Sequence, residues 1–200
     1  MGSTSGHELP AGFLLPTSGP PAAEWEWACR LVPKAGRRYT LHLSGSLHFA
    51  WAGRLAAGLA ARHISVVRAT ARRGSTRWTA EIDLDVLDGA VEPSAIDFIA
   101  LMREHPDPAS AGGIELASCR VARTRRDVEV EIRGEDAVGL LGRVLLIFAE
   151  LGLFPRAMRV ETTGSAVRDV FLLQDLAGEP PPDAVVAVLR TRLEGLVSEE

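Results

Sequence analysis

The sequence has few cysteines, no excess of positive charge and no long apolar run, and each shortage excludes a class of protein. Two cysteines, Cys29 and Cys119, among 200 residues are too few for a disulfide-stabilised secreted scaffold. The formal net charge of -4 argues against nucleic acid as a partner, because domains that bind it carry a clustered basic surface. No apolar run approaches the ~20 residues that cross a bilayer. We therefore expect no membrane contact and a cytoplasmic location.

Motifs for catalysis and metal binding are missing as well. The five histidines show no ligand spacing, and Gly139 to Gly142 gives only G-x-x-G, without the Lys-Ser/Thr of a phosphate loop. The acidic run from Glu81 to Asp88 alternates with apolar residues, which favours the solvated face of a strand over a metal cluster. We therefore expect no catalytic residue, no metal and no cofactor, and a protein that is not an enzyme. An enzyme with an undetected site is the third alternative.

What the sequence does contain is an internal repeat of about 90 residues. Residues 28–45 align with residues 118–134, with one gap in a turn, and the segment beginning at Gly53 aligns with the one beginning at Gly142. Cys29 and Cys119 fall at equivalent positions, which favours small buried hydrophobic residues over a redox pair.

The repeat predicts the domain organisation. Residues 1–22 are rich in Gly, Pro and Ser and carry no period, so we predict a flexible N-terminal arm. We predict two units after this arm, the first over residues 23–110 and the second over residues 111–200.

Hydrophobic periodicity predicts the same elements in both units. In the second unit, residues 128–133 alternate as a half-buried strand does, residues 141–151 have helical spacing, two strands meet at Thr163 to Ser165, and a last helix begins near Asp183. In the first unit, Ser94 with Asp97 predicts a capping box at its second helix.

Leading strands complete each unit. If residues 24–32 and 113–122 pair back onto the next strand, each unit is ββαββα. The predicted fold class is α+β, with two ferredoxin-like sandwiches, each with an antiparallel four-stranded sheet and two helices on one face.

Residues 131–178 resemble an ACT domain, the small-molecule regulatory module, and are most similar to the C-terminal ACT domain of bacterial protein-PII uridylyltransferase. The matching features are a strand that ends at Gly134, a D-x-x-G-L-L turn with Asp136 and Gly139, and "RDVFLLQDLAG", which looks like D-V-F-Y-V-x-D-x-x-G. The catalytic motifs of the uridylyltransferase are absent from the sequence. The first unit resembles an ACT domain only indirectly, through its repeat relationship to the second unit.

The resemblance implies that an amino acid or related metabolite binds at the turn between the first core strand and its helix. There Asp136 would accept the α-amino group, and amides around Val138 to Leu141 would hold the carboxylate, as a helix N-terminus does. The expected ligand-binding residues are Glu135, Asp136, Ala137, Val138, Gly139, Leu140 and Leu141. The family turn is usually D-R-P-G, so Ala137 and Val138 depart from it, and the first unit has Leu47 to Ala50 at this place.

Alternatives stay open at this turn. Asp136 and Gly139 also suit simple helix capping.

For the whole protein we expect a non-catalytic regulator in nitrogen or amino-acid metabolism that senses an amino-acid effector and acts on a regulated protein. A ligand-free ACT-like pairing scaffold is the alternative. Small sheets have free edges, so we expect a homodimer or a pair of domains within the chain.

Overall fold

The computed structural model describes residues 27–46, 50–74, 77–104, 115–175 and 177–197; the predicted arm lies outside them. The elements are β1 (Ala28–Pro33), β2 (Arg38–Ser46), α1 (Trp51–Ala60), β3 (Ile64–Arg73), β4 (Arg77–Val86), a 3-10 turn (Pro93–Ala95), α2 (Phe98–Leu101), β5 (Leu116–Arg123), β6 (Val128–Glu135), α3 (Leu140–Glu150), β7 (Phe154–Thr163), β8 (Ala166–Gln174) and α4 (Asp183–Glu194). The described residues therefore form a mixed α+β fold.

All described strands belong to one antiparallel sheet with the order β1-β2-β4-β3-β7-β8-β6-β5. Each half of the chain supplies four neighbouring strands, as the repeat predicts. The prediction of two separate sandwiches is not confirmed, because β3 pairs with β7 and makes the two sheets continuous. Joining them satisfies the backbone groups that two separate sheets would leave open at those edges.

The junction between the halves has approximate two-fold symmetry. Thr70 lies opposite Arg159, and these two residues have the same offset in sequence as Gly53 and Gly142. The strand register is also the same in both halves, since Cys29 lies opposite Leu43 and Cys119 opposite Ile132.

Helices α1 and α3 pack against each other through equivalent glycines. A Cβ on Gly53 would lie 3.2 Å from Leu146 atoms, and a Cβ on Gly142 would lie 2.9 Å from the backbone nitrogen of Ala57. Leu146 and Ala57 are themselves equivalent in the repeat, so each helix places its glycine against the same point of the other. The glycines therefore bring the helix backbones close together.

Two local predictions are wrong. Cys29 is exposed and Cys119 is partly exposed, because both lie on the outermost strands, β1 and β5, whose residues are mostly left uncovered by the rest of the protein. The capping box of the first unit does not form: α2 begins at Phe98, and Asp97 alone caps it by accepting from the amides of Ile99 and Ala100, both at 3.0 Å. Among the described helices, none is long and apolar enough to cross a membrane.

Candidate functional site

The turn predicted to bind ligand connects β6 to α3. Its first amide, that of Asp136, donates to the carbonyl of Ser165 at 2.7 Å, and the amide of Leu140 donates to the carbonyl of Ala137 at 3.0 Å. Gly139 has a φ of 97°, a left-handed conformation in which a side chain would be strained. Glycine therefore allows the chain to turn sharply from the strand into the helix.

The predicted residues differ in exposure. Glu135 and Asp136 are exposed, Ala137, Gly139 and Leu141 are partly buried, and Leu140 is buried. Val138 is half exposed, at 50%. Six of the seven residues, Asp136 to Leu141, line a cavity beneath the turn, and Glu135 does not.

Capping does not explain Asp136. The residue at the N-cap of α3 is Gly139, and no side chain caps this helix. No described residue donates a hydrogen bond to the Asp136 carboxylate. Its pKa is raised by partial burial, although the residue as a whole is exposed.

A small cavity of about 30 Å³ lies beneath the turn. The second half supplies the turn itself and the residues Val160, Thr162, Val167 and Asp169, and the first half supplies Ala56, Ala60, Ile64, Ser65 and Val66. The cavity therefore lies between the two halves of the molecule. A cavity needs about 10–15 Å³ of accessible volume to hold one water molecule, so this cavity has room for a group as small as an ammonium.

Asp169 is the functional candidate that the sequence reasoning missed. It is 2% exposed and lies on the helix-facing side of β8, where Val167 and Phe171 are also buried. Its Oδ1 accepts a long hydrogen bond from the amide of Glu161, at 3.3 Å. Burial, and then the nearby Asp136 and Glu161 carboxylates, raise the pKa of Asp169 to about 7. The signal in the sequence is that Asp169 of "RDVFLLQ" occupies a position where the alternation of the strand predicts an apolar residue.

Thr162 adds a second buried polar group to the same cavity. Its Oγ1 is buried and has no hydrogen-bond partner among the described residues. A buried hydroxyl without a partner costs about 1–3 kcal/mol. The indole nitrogens of Trp51 and Trp78 in the first half are also buried without a partner, so the feature that distinguishes this cavity is the buried acid Asp169 with its raised pKa, a pattern typical of functional sites.

The equivalent position of the first half is built differently. By register, Trp78 and Ala80 replace Val167 and Asp169, and Trp51 replaces Leu140. The rings of Trp51 and Trp78 lie 5.1 Å apart, and Trp78 and Phe154 lie 4.8 Å apart. Aromatic side chains therefore fill the place that is a polar cavity in the second half.

The turn of the first half is described only in part. Leu47, His48 and Phe49 lie outside the described residues. Ala50, the equivalent of Gly139, has a φ of 60°, so the left-handed conformation recurs without the glycine. Neither this turn nor the aromatic cluster presents a carboxylate equivalent to Asp169.

The described residues contain no group of three or more His, Cys, Asp or Glu side chains that could hold a metal ion.

Comparisons with known proteins add little to this geometry. No protein-family model matches the chain, and no curated protein matches it. A solved structure that resembles it is aspartate kinase from Synechocystis, with 10% identity and a TM-score of 0.46; the match covers 80% of this chain and 27% of the kinase chain. A likeness at that TM-score carries no functional argument.

Proposed function

We propose that the protein is a non-catalytic regulator that binds an amino acid or related amine-bearing metabolite at the β6–α3 turn. The observation that carries this proposal is the difference between two equivalent positions of a duplicated fold. One is filled by Trp51, Trp78 and Phe154, whereas the other keeps a cavity lined by the buried acid Asp169. Burying a carboxyl group without a charged partner costs free energy, and a bound ammonium group would supply that partner.

The ligand's ammonium group would enter the cavity and meet the carboxylates of Asp169 and Asp136. The cavity has room for this group, and its charge would offset the buried carboxylate of Asp169 and lie close to that of Asp136. The ligand carboxylate would lie outside, at the first turn of α3, whose amides have no helical partners. Because the amide of Leu140 already donates to Ala137, its neighbours would bind the carboxylate. The ligand side chain would cover Val138.

The position of the cavity suggests how a signal would pass. Ligand contacts would bridge the turn of the second half and the α1–β3 segment of the first half, so binding would stabilise one arrangement of the two halves over another. A regulated protein in amino-acid or nitrogen metabolism would read that arrangement. A tandem pair of this kind acts within one chain, and a homodimer would add a second copy of the site.

Calorimetric titration with common amino acids, glutamine and glycine first, tests the proposal. We expect binding at millimolar or lower concentration, and no binding of the N-acetylated forms, which lack the ammonium group. Asp136→Ala should lose binding while it stays folded, and Asp169→Asn should do the same. If no amino acid binds at millimolar concentration, the molecule is the ligand-free pairing scaffold instead.

The pH dependence gives a second readout. If the ammonium binds only the ionised form of Asp169, affinity should fall as pH decreases below about 7, by up to tenfold for each pH unit. Asp169→Asn with residual binding should lack this dependence. Unchanged affinity between pH 5 and pH 8 in the unsubstituted protein would place the ammonium group elsewhere.

A further inference from the structure

The face of the sheet opposite the helices carries an open groove of about 540 Å³ across β1, β2, β4 and β3. This volume lies within the usual range of small-molecule sites, about 300–1,000 Å³. The register places two rows of residues across these strands, first Arg30, His42, Glu81 and Thr70, then Ala28, Ser44, Thr79 and Arg72. The groove is thus bounded by an arginine at two diagonal corners, and its floor carries His42, Glu81 and the hydroxyls of Ser44 and Thr79.

The charges in this groove are not balanced. Neither Arg30 nor Arg72 forms an ion pair or side-chain hydrogen bond with any part of the chain that the structure describes. Among the described residues that line the groove, Glu81 supplies the negative charge, and it lies 3.8 Å from Nδ1 of His42. Two guanidinium groups are therefore available to a ligand.

The equivalent surface of the second half is neutralised internally. Arg120, the equivalent of Arg30, lies 2.5 Å from Glu129 and 3.7 Å from Glu131. Arg133 and Arg168 also pair with Glu131, at 2.7 and 2.9 Å. Unbalanced arginines are therefore specific to the first half, and the repeat by itself does not account for them.

We propose that this groove binds a small oxyanion with at least two negative charges, such as a phosphorylated or polycarboxylate metabolite. Three strand spacings of about 4.8 Å separate β1 from β3, so Arg30 and Arg72 reach a ligand from opposite sides. The guanidinium group pairs with phosphate and carboxylate oxygens through two parallel hydrogen bonds. The hydroxyls of Ser44 and Thr79 donate to the oxygens that lie between. This site is independent of the amine site at the β6–α3 turn.

Titration with pyrophosphate and with citrate tests the groove, and the two probes separate phosphate from carboxylate ligands. We expect at least one of them to bind at millimolar or lower concentration. Arg30→Gln and Arg72→Gln should each weaken that binding about tenfold or more, the effect of losing a charged hydrogen bond. Both arginines are exposed, so both variants should keep the fold, which thermal unfolding verifies.

Arg120→Gln is the matched control, since it removes the equivalent guanidinium from the neutralised surface. We expect the affinity of this variant for the probe to stay within about twofold of the original, because Arg120 does not line the groove. The proposal is overturned if neither probe binds at millimolar concentration, or if Arg120→Gln weakens binding as much as the groove variants. Asp136→Ala should leave oxyanion binding intact, so failure of the amine site and failure of the groove are distinguishable.

Discussion

Asp169 should make the stability of this protein decrease as pH rises. Its pKa is raised from 3.8 to about 7 by burial, reinforced by Asp136 and Glu161. The folded protein therefore keeps a proton that the unfolded chain releases, so unfolding becomes easier once pH exceeds about 4. The loss grows until about pH 7 and is constant above it. A change from 3.8 to about 7 corresponds to about 4 kcal/mol.

Asp169→Asn should remove this loss. The amide side chain has nearly the same shape, keeps an oxygen to accept from Glu161, and carries no charge to bury. We expect the variant to unfold with about the same free energy as the original at pH 4, and to be more stable by up to about 4 kcal/mol at pH 8. Urea unfolding between pH 4 and pH 8, without any amine ligand, measures the difference.

The critical result is how the difference in unfolding free energy between Asp169→Asn and the original protein changes with pH. Two curves that remain parallel over this pH range would refute the reasoning, because they would mean that the Asp169 carboxyl titrates near its ordinary pKa. Asp136→Asn is the control: its pKa is also raised by burial, but it is exposed, so we expect a much smaller pH-dependent difference. A large pH-dependent effect for Asp136→Asn alone would show that Asp136, and not Asp169, makes stability decrease as pH rises.

Three further changes test the packing and the turns. Gly142→Ala should destabilise by about 1–3 kcal/mol, because its Cβ would lie 2.9 Å from the backbone of Ala57; Gly53→Ala, with contacts at 3.2 Å, should cost less, as urea unfolding measures. Ala50→Gly should stabilise by up to about 1 kcal/mol, since Ala50 has a φ of 60° and glycine avoids that strain; a lower unfolding midpoint would contradict this. Asp97→Ala should cost about 1 kcal/mol by removing the cap of α2, and no change in the midpoint would show that the cap is dispensable.

The repeat and the strand alternation made most of the fold predictable. Residues 128–133 alternate because one face of β6 is buried and the other is solvated, and the same holds for β4. Such patterns depend on local burial, which the sequence records directly. Even the left-handed positions follow the repeat, since Ala50 and Gly139 both begin a helix in that conformation.

The continuous sheet could not be predicted in the same way. An alternating strand is compatible with a free edge or with a neighbour on either side, so nothing in the local pattern of β3 or β7 specifies that they pair. The exposure of Cys29 has the same origin, because the repeat identifies equivalent positions but does not reveal which strands are outermost. Whether β3 pairs with β7 depends on how the two halves pack together in the folded protein.

The candidate site was predictable at the turn but not beneath it. Asp136 and Gly139 lie within four consecutive residues and are recognisable as a motif. Asp169 and Thr162 reach the same cavity from β8 and β7, and the first half closes it through Ala56 and Ala60. Their proximity depends on two strand pairings and on the packing of α1 against α3, none of which is local.

Duplication explains why a polar cavity can persist in one half. A fold with two equivalent positions can stabilise itself at one of them, where Trp51, Trp78 and Phe154 bury large aromatic surfaces. The other position then tolerates a buried acid that opposes folding by about 4 kcal/mol above pH 7. Because an ammonium ligand would offset that penalty only when bound, the free energy stored at Asp169 is what would make the arrangement of the two halves respond to the ligand. Replacing Asp169 by a hydrophobic residue should therefore give a more stable protein that has lost its response.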